Sequence, residues 1–168
     1  MVMVYMWGEM VLFFLFCLVT IPPITHLFHE MGHLLMAKIM LVPGGNVVIG
    51  KGKVLFSFSF FETTFHIHQW FFLGGSTTFA SVDKIPVWRR CLIYLGGPLM
   101  NGLCAFALLT PGFGYAEHWT TVWFQWLLLM NIWVCIVNLI PFQQRGKKSD
   151  GKLFIETIQS VLLTKMRF

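Results

Sequence analysis

The chain has 168 residues, of which 57% are hydrophobic and 11% charged, with a formal net charge of +5 and a mean hydropathy of +0.72. A typical soluble domain carries about 25% charged residues, so the composition excludes a soluble globular domain and predicts an integral membrane protein. The length accommodates a single domain over 1–168, mainly α-helical with a few spanning helices, and neither linker nor repeat marks a second unit.

Residues 10–40 form the first of three segments long enough to cross a bilayer, which takes about 20 apolar residues. No Lys or Arg precedes Lys38 and no small-residue cleavage pattern is present, so this segment reads as a retained span and not a cleaved signal peptide. Pro22-Pro23 removes two backbone donors in its middle, and a kink or break is expected there. Beyond the prolines stands His29-Glu30-Met31-Gly32-His33, an HExxH motif. On a helix the two histidines at i and i+4 share one face, so both imidazoles can reach one Zn²⁺ while Glu30 stands beside it as a general base. The pentapeptide alone is a common chance match. Its apolar setting makes it a site hypothesis, because ionisable groups in hydrocarbon are costly and mark function. The bland alternative is a helix end whose polar residues face water.

Over 46–79 the rhythm changes. Val54, Phe56, Phe58 and Phe60 alternate with Leu55, Ser57 and Ser59, and 65–69 alternates too, between Gly44-Gly45 and Gly74-Gly75. This is strand periodicity and predicts a small antiparallel sheet between the first and second spans. An open sheet edge cannot face lipid, so the strands are expected against protein, at the interface or around a water-filled cavity. An unfolded substrate could add to such an edge as an extra strand.

The second and third spans are expected over 91–110 and 121–140, followed by a cytoplasmic segment over 141–168. All twelve Lys and Arg fall in three clusters: Lys38 with Lys51 and Lys53; Lys84 with Arg89 and Arg90; and Arg145 onward. The positive-inside rule then puts the N-terminus outside and the C-terminus in the cytoplasm. The positive charge is explained by this topology and by attraction to the lipid bilayer, and it implies no nucleic acid partner. Cys17, Cys91, Cys104 and Cys135 show no CxxC spacing and suggest neither a thiolate metal site nor a disulfide framework.

A zinc hydrolase needs a third protein ligand and an open position for water. The long HExxHxxGxxH pattern fails, because Met36 and Ile39 stand where it needs glycine and histidine. Glu62, Asp83, Glu117, Asp150, Glu156, His66, His68 and His118 remain. Asp150 is the best placed, since it follows the third span and lies on the same side as His33 by the charge-derived topology.

Four blocks, in order along the chain, resemble the site-2 protease type of intramembrane zinc metalloprotease, peptidase family M50, in a minimal form. They are Phe28 to His33 with Ala37-Lys38; Val48-Ile49-Gly50-Lys51-Gly52; Gly96-Gly97-Pro98-Leu99-Met100-Asn101; and Asn138-Leu139-Ile140-Pro141 leading to Asp150-Gly151. The resemblance implies that His29, His33 and Asp150 hold Zn²⁺, that Glu30 activates water and that Asn138 helps to hold the substrate backbone. It also implies a membrane protein or peptide as substrate and a prokaryotic cell membrane as the location. The chain departs from the family's pattern in the eight residues between Pro141 and Asp150, which include Arg145, Lys147 and Lys148.

Other polar residues carry two readings each. Asn101 beside Gly96 and Gly97 is a second substrate-binding candidate, or a helix-packing residue with a satisfied hydrogen bond. His66 and His68 share a strand face and could bind a metal, or form the polar face of an interfacial strand. His26 either lines the cavity behind the ligands or sits on a polar helix face. Trp7, Trp88 and Trp119 lie near span ends and suit interfacial anchoring, and the tail 152–168 is weakly amphipathic. The leading function is an intramembrane zinc endopeptidase. The alternative is a non-catalytic zinc-binding membrane protein, a metal carrier or peptide-transport accessory, which has no need of Glu30.

Overall fold

The computed structural model describes residues 2–79, 84–109, 118–144 and 146–165. Its elements are α1 (Val2–Ile39), β1 (Gly45–Phe60), β2 (Thr63–Thr78), α2 (Val87–Leu108), α3 (Trp119–Leu139), the short β3 (Gln143–Gln144) and β4 (Lys147–Lys148), and α4 (Asp150–Lys165). Three helical stretches are long and apolar enough to cross a membrane: Trp7–Ile39, Val87–Leu108 and Trp119–Leu139. They coincide with the three expected spans, apart from Thr110, which lies outside the described residues.

The expected break at Pro22-Pro23 does not interrupt α1, which runs through both prolines as one helix. Lipid-facing helices tolerate proline because neighbouring helices re-satisfy the local backbone and side-chain groups. Here Thr20 Oγ1 donates to Phe16 O (2.8 Å) and accepts from Trp123 Nε1 of α3 (2.9 Å), which ties the turn before the prolines to a second helix. At 33 residues the spanning part of α1 is about 50 Å long, well beyond the hydrocarbon thickness, so it tilts or projects from the bilayer.

Two small clusters hold the helices. Cys17 and Ile21 of α1 pack on Leu127 of α3, flanked by Phe13, Ile24 and Trp123. At the other end of α1, Ala37 and, just beyond the helix, Val42 pack on Ile93 of α2. Between them α1 and α2 touch backbone to backbone: a Cβ at Gly32 would strike the carbonyl oxygen of Gly96, and one at Gly96 would lie 2.5 Å from the carbonyl oxygen of Gly32. Small residues permit this approach where no hydrophobic force drives helices together.

β1 and β2 bear out the small sheet, and each contributes two segments. An antiparallel hairpin pairs Phe60 with Thr63, Phe58 with Phe65 and Val54 with His68. The first part of β1 pairs antiparallel with the end of β2, Asn46 with Thr78 and Ile49 with Gly75, and runs parallel beside the start of β2, Val47 with Phe65 and Ile49 with Ile67. The segment order is therefore 54–60, 63–68, 45–49, 75–78. β1 reverses through Gly50 and Gly52, whose φ values of 91° and 93° suit glycine. The hairpin leaves Leu55, Phe56, Phe58 and Phe60 exposed, so its alternation separates two outer faces and not a core from water.

The described residues of the insertion before Asp150 pair as a small hairpin. β3 and β4 pair antiparallel, and Ser149 cinches the base: its hydroxyl donates to Ile140 O (2.7 Å) and accepts from the backbone N–H groups of Phe142 (3.0 Å) and Lys152 (3.2 Å). Ser149 thus caps α4, and Gly151 lets the start of α4 press on the carbonyl of Leu139 at the end of α3. The insertion loops out without displacing Asp150.

Candidate metal centre

His29 and His33 come from the packed half of α1 and are 5% and 6% exposed, and Asp150 reaches them from the first turn of α4. His29 Nε2 lies 3.0 Å from Asp150 Oδ2, His33 Nε2 lies 3.4 Å from Asp150 Oδ1, and the two Nε2 atoms are 3.2 Å apart.

The far side of each imidazole decides its tautomer. Asn101 Nδ2 donates to Asn131 Oδ1 (2.8 Å) and to Thr25 O (3.2 Å), so Asn101 Oδ1 is the acceptor for His29 Nδ1–H at 2.6 Å. His33 Nδ1–H donates to Ile93 O at 2.8 Å, a carbonyl that can only accept. Both Nε2 atoms therefore present lone pairs to a carboxylate and to each other. Three acceptors in mutual contact repel unless a cation lies among them. For a tetrahedral ion with ligand bonds of 2.0–2.2 Å the donor atoms stand about 3.3–3.6 Å apart, close to the separations found. The donor set thus fits Zn²⁺, with two neutral imidazoles and one carboxylate, each imidazole fixed from behind.

Glu30, 4% exposed, stands beside the cluster. Thr77 Oγ1 of β2 donates to Glu30 Oε2 at 2.6 Å, and a Cβ at Gly75 would lie 2.6 Å from Glu30 Oε1. The edge segment 75–78 therefore grips the carboxylate through a hydroxyl and a bare backbone. Gly97 of α2 closes against the histidines, because a Cβ there would fall on both Nε2 atoms. The sequence reading missed these roles. Gly97 was noted for helix packing, while Thr77 carries no signal in a strand that reads only as periodic.

The other expected residues separate. Asn138 donates from Nδ2 to Val134 O within α3 (2.9 Å) and lines a polar cavity of about 480 Å³ next to Gly75 and Ser149. Asn101 does not reach toward a substrate. It is fully buried and both ends of its amide are engaged, so its place is behind His29, joining α1, α2 and α3 through Thr25 and Asn131. His66 bonds Ser57 and His68 donates to Gly52 O, both in the sheet. Glu62 occupies the hairpin turn with φ 62°, Glu156 pairs with Lys148, and His118 precedes the opposite end of α3. His26 is half-buried on α1. Asp83 and Glu117 lie outside the described residues. Among the described residues, His29, His33 and Asp150 form the one group of three or more metal-ligating side chains whose donor atoms converge.

A three-span helical membrane protein whose HExxH helix meets an aspartate from another element defines the class of HExxH membrane proteins with a built metal site. The family model described as peptidase family M50 matches residues 13–116, well over half of the chain, and the chain belongs to that family. The match includes His29, Glu30, His33 and Asn101 and stops short of Asn138 and Asp150. A Thermotoga maritima protein named "Putative zinc metalloprotease" is 32% identical over 98 residues, covering 49% of this chain and 19% of the relative. A Fusobacterium nucleatum protein of similar name is 30% identical over 91 residues, covering 48% of this chain and 26% of the relative. The chain thus spans about a fifth to a quarter of the length of these curated relatives.

Proposed function

We propose that the chain is a zinc endopeptidase that hydrolyses a peptide bond in a membrane-embedded or membrane-associated protein or peptide. The observation that carries this reading is the convergence of two imidazole lone pairs and a carboxylate beside a separately held glutamate. His29, His33 and Asp150 are the ligands. When bound there, Zn²⁺ supplies a Lewis acid for the scissile carbonyl and lowers the pKa of water to about 7.

The chain's own residues do the rest. Glu30 accepts the proton of the attacking water and returns it to the leaving amine. Thr77 donates to Glu30 Oε2 and so keeps Oε1 as the working atom. Asn101 and the Ile93 carbonyl fix both imidazoles with Nε2 inward. A helical substrate has its carbonyls hydrogen-bonded and must unwind before attack. The segment 75–78, paired on one side only in the register above, offers its other edge to hold the substrate extended beside Glu30. Asn138, in the adjoining cavity wall, is placed to bond a substrate backbone group. The distribution of Lys and Arg supports a cytoplasmic C-terminus, and the resemblance to the family suggests a prokaryotic cell membrane.

The test is cleavage of membrane-anchored reporter proteins by the purified, zinc-loaded chain beside a Glu30→Gln control. We expect product only from the wild type, and in cells an uncut stub that accumulates only with Glu30→Gln. Equal behaviour of the two, with zinc bound and exchanged, would instead support a non-catalytic zinc-binding membrane protein.

A further inference from the structure

The cavity of about 480 Å³ beside the metal centre is bordered by Gly75, which abuts Glu30, and by Ser149, which precedes Asp150. It therefore runs alongside the atoms assigned to the reaction. Its wall also carries Asn138, Lys51, Lys147 and Lys148. Two separate elements supply the lysines: Lys51 stands at the bend of β1 between Gly50 and Gly52, and Lys147-Lys148 form β4 of the inserted hairpin.

These cations differ in their partners. Lys148 Nζ is 2.6 Å from Glu156 Oε2, and Lys152 approaches the same carboxylate at 4.0 Å. Lys51 and Lys147 have no carboxylate partner among the described residues. Two like charges from different strands thus face one polar cavity without an anion among the described residues paired to them. Such an arrangement attracts an anionic group and repels a cationic one.

We propose that Lys51 and Lys147 form a subsite for an acidic side chain of the substrate, close to the bond that is cut, so that segments bearing Asp or Glu there are preferred. The proposal rests on the peptidase reading for the position of the bond. An anionic lipid headgroup is the competing occupant. The peptide is favoured because the lysines share their cavity with Asn138 and with the residue that abuts Glu30, whereas a lipid headgroup needs only an outer surface.

The experiment measures binding of three labelled, membrane-anchored peptides to the intact chain carrying Glu30→Gln, reconstituted in phosphatidylcholine nanodiscs. The peptides bear Glu, Gln or Lys at corresponding positions. The acidic peptide should bind about fivefold more tightly than the neutral one, and the basic peptide most weakly. Joint Lys51→Gln and Lys147→Gln should level the three. Joint Lys51→Glu and Lys147→Glu should reverse the order, a gain that a misfolded protein cannot give. Equal binding of all three peptides, or an unchanged order after charge reversal, overturns the proposal. So does a lysine effect that appears only when phosphatidylglycerol is present and is the same for every peptide, since that marks a lipid site. Cleavage of the same peptides by the chain with Glu30 intact is scored separately. Failure to cut any of them while the binding order holds sinks the peptidase reading and leaves the acidic subsite standing.

Discussion

The two halves of α1 belong to one continuous helix and have opposite roles. Before Pro22 the helix shows lipid a nearly continuous apolar surface, with Leu12, Phe14, Phe16 and Leu18 all exposed. After it, Thr25, His29, Glu30 and His33 are buried. One ridge joins the halves, for Cys17, Ile21, Thr25, His29, His33 and Ala37 are all buried and each follows the last by four residues. An i+4 ridge drifts about 40° around the axis at each step, so α1 shows different sides along its length. Cys17 and Ile21 meet α3; Gly32 and His33 meet α2. In lipid, an apolar side chain gains little by being buried against another helix. Small and polar residues mark the contact side instead.

The sharpest way to break the contrast is to add bulk to each half. Gly32→Leu should dismantle the α1–α2 contact and cost more than about 3 kcal/mol, because backbone faces backbone there and nothing can yield. Leu12→Phe on the lipid face should change stability by less than about 0.5 kcal/mol. Melting of both variants in one detergent checks the pair. Equal melting points would mean that α1 and α2 do not meet at Gly32.

Next in size is the anchoring of the metal from behind. Asn101→Leu keeps the branching of the side chain but removes the acceptor of His29 Nδ1–H and orphans Asn131 Oδ1. We expect zinc affinity to fall about 10–100-fold, read by competition with a chelator, with the helical circular dichroism retained. An unchanged affinity would show that the Asn101 bond does not set the imidazole. Thr77→Val, on the strand side of the same centre, should leave zinc affinity alone and lower kcat about tenfold, with Thr77→Ser restoring it. A rise in KM with kcat unchanged would assign Thr77 to the substrate and not to Glu30.

How far the sequence foretold these features follows from their range along the chain. The HExxH pair is local, so the two histidines and the glutamate of the candidate site were legible in five residues. Asp150 was found from its position after the third span, and the hairpin closed by Ser149 explains why the insertion before it does not matter. Asn101 was singled out with two readings, substrate contact or helix packing with a satisfied hydrogen bond, since spacing cannot tell the front of a histidine from its back; the bonds found are of the second kind. Thr77 was invisible, because it acts across forty-seven residues through a strand whose alternation carries no core face. At Pro22-Pro23 local proline chemistry predicts a kink or a break, and of these the break does not occur, because a span within a bundle can carry prolines as a continuous helix.

The smallest effect concerns Thr25, the residue where the ridge changes from apolar to polar. It is fully buried, and its carbonyl accepts from Asn101, yet its hydroxyl has no hydrogen-bond partner among the described residues. A buried hydroxyl without a partner carries its desolvation cost without return. Thr25→Val keeps the shape and the carbonyl and removes that atom. If the polar half of the ridge were held by its polarity as such, this change would weaken the helix contact. If it is held by the specific bonds of Asn101 and the close approach at Gly32, the variant should melt at the same temperature or a few degrees higher, equivalent to about 1 kcal/mol or less, with zinc affinity unchanged. A loss of zinc affinity in Thr25→Val would mean that the hydroxyl takes part in holding Asn101, and the network behind His29 would then extend one residue further along the ridge.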